Sequence, residues 1–202
     1  MKHFNYLLLS TVVTIITSTG CSNSDKNYNA NSVSQTVTKD YTAEQERLLA
    51  DGWYFPKSKP SGELSKEYGV KSRYGQHDNY FDIEVGKGYD VALKLIDAKT
   101  EKCIRYIYIP ESTTVNIQMV PQGSYYLKFS YGNDWMEFDN GDGTISGKFT
   151  SNVIYDRSSD VFNFGRKNSS QLANYLLRIN INDSQLHNNF ETIAISESEF
   201  FN

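Results

Sequence analysis

The chain of 202 residues holds two cysteines, three histidines and four prolines, and each shortage closes a route to function. A zinc site needs three or four His, Cys or acidic ligands at usable spacing. Beyond the first few residues the histidines are His77 and His187, far apart and in no recognisable motif with Cys103. Neither a metal centre nor a thiol nucleophile with its base is written in the chain. Basic clusters are missing as well: 20 Lys and Arg stand against 24 Asp and Glu, for a net charge of −4. That balance lacks the basic stripe that nucleic acid or anionic lipid attracts. There is no glycine-rich phosphate loop, no serine elbow and no Ser/His/Asp order.

Two acidic groupings have plain readings. Asp82 and Glu84 share one strand face at i and i+2, as a glycosidase pair sometimes does, but a solvated strand face carries the same letters. Asp139, Asn140 and Asp142 sit among glycines, yet their spacing misses the EF-hand loop and its late bidentate Glu. A turn uses those residues in the same way. The expectation is a non-catalytic protein without cofactor or metal.

The long apolar run is confined to the start. Lys2 and His3 precede an apolar stretch from Tyr6 to Ile16, then Thr17-Ser18-Thr19-Gly20-Cys21. The stretch is too short for a comfortable membrane span and reads as a secretion signal over residues 1–20. It resembles a bacterial lipoprotein signal, with small residues at Thr19 and Gly20 leading into Cys21. The resemblance implies lipid on Cys21, anchorage to a membrane of the bacterial cell envelope, and Cys21 as the mature N-terminus. An ordinary signal peptide cut near Gly20 is the alternative. Loss of residues 1–20 removes Lys2, leaving 19 basic against 24 acidic residues and a net charge of −5. With Cys21 lipidated, Cys103 stands alone and no intrachain disulfide forms.

Residues 21–40 are rich in Ser, Asn and Thr and poor in large apolar groups, so they read as a flexible tether. Residues 41–78 are expected to hold one short helix and a long loop. Thr42-Ala43-Glu44-Gln45 has capping-box spacing, Leu48 and Leu49 follow, and Gly52 sits where the helix should stop. Trp53-Tyr54-Phe55 is the densest aromatic cluster, either an N-terminal clamp on the domain or an exposed recognition patch. The loop over 56–78 is long for a compact domain and is a candidate site by position.

From residue 79 to 202 the period is two. Phe81, Ile83 and Val85 alternate with Asp82 and Glu84; after Gly86-Lys87-Gly88 come Val91, Leu93 and Leu95. This predicts a hairpin. A polar turn over 97–102 leads to a strand over 103–109, with Cys103, Ile107 and Ile109 on one face and Ile104, Tyr106 and Tyr108 on the other. Cys103 in that phase reads as a small buried hydrophobe. Val115, Ile117 and Met119 then give way to Val120-Pro121-Gln122-Gly123, and Tyr125, Leu127, Phe129 and Tyr131 resume the alternation. A second hairpin is predicted there, with Gly123 supplying a positive φ. Further strands are expected around Phe149 to Tyr155, at Val161 to Phe164, over 175–182 with Tyr175, Leu177, Ile179 and Ile181 inward, and near Ile193. Seven to nine strands make an all-β fold, a single β-sandwich of prealbumin-like or Ig-like type with one short N-terminal helix.

The pattern Val120-Pro121-x-Gly123-x-Tyr125-x-Leu127 resembles the signature of prealbumin-like sandwiches, including carboxypeptidase regulatory-like domains and repeat domains of Gram-positive surface proteins. What the resemblance implies is a fold and an accessory or adhesive role, with no catalytic residues. Fifteen tyrosines are conspicuous. Tyr106, Tyr108 and Tyr126 fall on the polar phase of their strands, where they serve either as a covered second face or as a binding surface. The functional expectation is an interaction or accessory module holding a protein partner in an envelope assembly. Glycan binding by the same tyrosines is the alternative, and nucleic acid is not an expected partner.

Overall fold

The structure, a computed structural model, describes residues 40–165, 172–182 and 185–202. Cys21, the signal segment and the expected tether apart from Asp40 lie outside the described residues.

Helix α1 (Ala43–Ala50) starts as the sequence predicts: the Thr42 side chain accepts the N–H of Gln45, and the Gln45 side chain accepts that of Thr42. Gly52, at φ +94°, follows the helix end. The rest is strand: β1 (Gly62–Glu63), β2 (Tyr80–Val85), β3 (Asp90–Asp97), β4 (Cys103–Ile109), β5 (Thr114–Gln118), β6 (Gly123–Asp139), β7 (Ile145–Ser158), β8 (Phe162–Phe164), β9 (Tyr175–Ile179), β10 (Ile181–Asn182), β11 (Gln185–Leu186) and β12 (Thr192–Ala194). A last helix, α2 (Glu197–Phe201), closes the chain. No helix among the described residues is long and apolar enough to cross a membrane.

The architecture is all-β and sandwich-like. The larger sheet runs β1-β4-β3-β6-β7-β12, with β8 also on β6; the smaller runs β5-β2-β9, and β10 and β11 form a separate ribbon. One apolar cluster draws on both sheets. It takes Phe81 and Ile83 from β2, Leu177 and Ile179 from β9, Leu93 and Leu95 from β3, and Leu127 and Phe129 from β6. Alternation places these residues on the facing sides of the two sheets, and their burial is the main driving force for holding the sheets together.

Neither predicted hairpin forms across the two main turns. β2 pairs with β5 and, in parallel, with β9, whereas β3 pairs with β4 and β6. The Gly86-Lys87-Gly88 turn therefore carries the chain from the smaller sheet to the larger, residues 110–113 bring it back, and Val120-Pro121-Gln122 takes it to the larger sheet again. The reason is that a period of two fixes which face is apolar and leaves the neighbouring strand open. A strand with one apolar face buries it equally well beside its sequence neighbour or opposite it. At the Val120-Pro121-Gln122 crossover Gly123 does take a positive φ, 157°, and Met119, just before the crossover, is left-handed at 55°. Gly75 passes close by: a Cβ there would sit 2.8 Å from the carbonyl oxygen of Val120.

The register of β4 also differs from the alternation. Leu95 pairs with Arg105 and Ile96 with Cys103, so Ile104 is an extra residue in a bulge. Ile104 consequently turns into the intersheet core beside Ile107 and Ile109. Cys103 is half-buried outside that core, its thiol donating to the Arg105 carbonyl at 3.2 Å. Burial raises the thiol to about 11.

Candidate functional site

The second face of the larger sheet, where Tyr106 and Tyr108 point, is a core in its own right. Leu64, Ala92, Tyr106, Tyr108, Trp135, Phe149 and Phe200 form a buried cluster there. Two elements cover it. The 56–78 segment contributes β1, which pairs with β4, and Leu64, whose N–H donates to the Tyr106 carbonyl at 2.7 Å. The C-terminal helix contributes Phe200, which is fully buried.

This corrects the reading of Tyr106 and Tyr108 as a binding surface: their exposures are 3% and 0%. Large aromatic rings on an otherwise polar strand phase here mark a face covered by its own chain. The Tyr108 hydroxyl donates to Asp90 Oδ2 at 2.7 Å; Asp90 is itself buried and also receives the N–H of Glu111 and the ammonium of Lys59. Tyr126 lies apart, half-buried, its hydroxyl donating to Glu101. Burial, and then that carboxylate, push its phenol up to about 12. Asp82 and Glu84 have separate partners, Asn116 and Arg178. The Asp139 and Asp142 carboxylates accept the N–H groups of Gly141 and Thr144 within the β6–β7 turn.

What the two covers leave between them is a groove of about 460 Å³, with Trp53, Tyr68, Lys94, Ile145, Lys148 and Phe201 among its lining residues. Lys94 alternates with the core residues Leu93 and Leu95, which puts it on the second face, directly across from Tyr106 on β4 and Lys128 on β6. Its ammonium donates to the Phe200 carbonyl at 2.9 Å and lies 4.8–5.4 Å from the ring centres of Tyr106, Phe200 and Phe201. Desolvation lowers it to about 8; the nearby Cys103 thiol opposes that shift and Lys128 adds to it.

The β6–β7 arm forms the opposite wall. Gly147 lies against the Trp135 and Tyr68 rings so closely that a Cβ would sit 2.3 Å from Trp135 Cζ2. Both rings are oriented by one carboxylate: Tyr68 Oη and Trp135 Nε1 donate to Glu137 Oε1 at 2.9 and 3.1 Å. Burial, then the Glu137 carboxylate, raise the Tyr68 phenol well above its ordinary value. Lys148 stands over the Trp53 ring at 5.7 Å, between Glu44 and Glu197 at 3.4 and 3.6 Å. Trp53 packs on Phe138, and Tyr54 pairs its backbone with Glu137, so this segment does hold to the domain while the Tyr54 side chain stays 40% exposed.

Sequence reasoning missed Lys94 and Phe201. The available signal was a lysine at the centre of an apolar strand whose cross-strand neighbour on the same face is a tyrosine.

No family model, curated protein or solved structure matches the chain.

Proposed function

We propose that the protein is a non-catalytic lipoprotein of the bacterial cell envelope, anchored by lipid on Cys21, that works as an interaction module in an envelope assembly. The observation that carries this reading is the groove around Lys94. It is concave, walled by aromatic and aliphatic side chains, and furnished with a few charged groups, the make-up of a recognition site. Kinship with prealbumin-like sandwiches belongs to the same proposal, and the two facing sheets support it. With Tyr106 and Tyr108 buried, the recognition surface of this reading moves from the tyrosines to the groove.

The test is to cross-link the lipidated protein in its native envelope and identify the attached species by mass spectrometry. A reproducible protein adduct is expected; glycan fragments alone would overturn the reading in favour of saccharide binding. For the anchor, Cys21→Ser should release the protein from membranes, and continued membrane association would refute it.

A further inference from the structure

Two groups in the groove have unmet capacity. Lys94 forms no ion pair with a carboxylate among the described residues, and one of its three ammonium donors is used, on the Phe200 carbonyl. An enclosed cation with a ring cage and no counter-ion is favourable for an anion to approach.

The second group is backbone. In an antiparallel pair, alternate residues turn their N–H and C=O away from the partner strand. On β7 the N–H of Ile145 points away from β6, because it donates to the Glu67 carbonyl at 2.8 Å. Gly147, two residues on and opposite Glu137, therefore also turns its N–H and C=O away from β6, and it is one of the residues that line the groove. Val70, Ile145 and Phe201 add apolar side chains to the same lining.

We propose that the groove binds the C-terminal end of a protein partner, with the terminal carboxylate on Lys94, the main chain paired to Gly147, and an apolar last side chain against Val70, Ile145 and Phe201. Strand-edge pairing with pockets for side chains is a recurrent way to hold an extended peptide, as is capture of its terminal carboxylate. A saccharide fits less well. Sugars stack on open ring faces, whereas the Trp53 ring has Phe138 at 5.7 Å and the Lys148 ammonium over it, and the Phe201 ring has Lys94 over it. This inference rests on the reading of the protein as an interaction module.

The experiment titrates the full chain in detergent micelles with acetyl-Ala-Ala-Leu as the free acid, with the same peptide as its C-terminal amide, and with methyl glucuronoside. The acid is expected to bind about tenfold or more tighter than the amide, since truncating a charged partner costs at least that much. Lys94→Met should erase the difference. Because Lys94 also holds α2, a second variant, Ile145→Glu on the groove wall, should weaken the acid by a similar factor with an unchanged melting curve. Equal affinity for acid and amide, binding of neither, or tighter binding of the glucuronoside would each overturn the proposal. If the peptides fail while native cross-linking still yields a protein adduct, C-terminal recognition falls and the interaction reading stands. If both fail, both fall.

Discussion

Lys94 in the middle of β3 and Phe200 one residue from the end of α2 are joined by a 2.9 Å hydrogen bond from ammonium to carbonyl. Lys128, directly across the sheet, caps the same helix end through the carbonyls of Glu199 and Asn202. Cations at a helix C-terminus satisfy its orphan carbonyls and oppose its dipole. Two lysines side by side on a strand pair repel each other, and here the helix end offsets that cost. The contact therefore fixes the position of α2, and with it the Glu197 and Phe201 side of the groove.

The Lys94 ammonium gives a pH test. Burial lowers it from the ordinary 10.5 to about 8, so between these values the unfolded chain keeps a proton that the folded chain has lost. Stability rises with pH where the unfolded state binds more protons. Relative to Lys94→Met, the wild-type chain should gain stability between pH 8 and 10.5, read from denaturant melts at several pH values. A flat difference would show that Lys94 is solvated in the folded protein.

Tyr106→Ala should cost about 3–5 kcal/mol, as removal of a buried aromatic ring does, whereas Tyr126→Ala, at a half-buried ring bonded to Glu101, should cost only about 1 kcal/mol. Equal small losses in chemical denaturation would mean that α2 and the 62–70 segment do not cover the sheet.

These tyrosines show what was legible in the sequence and what was not. The strand over 103–109, the capping box at Thr42 and the turn after Phe138 were all readable, because local spacing and turn chemistry determine them. Sheet partners were not. Phe81 and Val91 each advertise an apolar face, and nothing in the alternation says that β2 leaves β3 for β5. The bulge at Ile104 is equally silent, since one extra residue reverses the phase without changing composition. The groove depends on both losses: it exists because β1 and α2, distant in sequence, settle on the same face.

Tyr108→Phe removes the donor to buried Asp90 and leaves that carboxylate with Lys59 and the Glu111 N–H. A loss of about 1–3 kcal/mol is expected for an unmet buried acceptor, measured as a shift of the urea midpoint with an unchanged slope.

Gly147→Ala should be destabilising by about 1–3 kcal/mol, the usual cost of overpacking, because its methyl group would enter the Trp135 ring. Tryptophan fluorescence should shift along with stability. An unperturbed melt and spectrum would place the β7 edge farther from Trp135 than 2.3 Å implies.

The most direct measurement places a photo-crosslinking amino acid at Ile145 in the groove, and separately at Tyr126 outside it, in cells with the native envelope. A protein adduct from position 145, mapped to the last residues of one partner and absent from position 126, is the predicted result. An adduct from position 126 with none from position 145 would contradict the assignment of the groove as the recognition site.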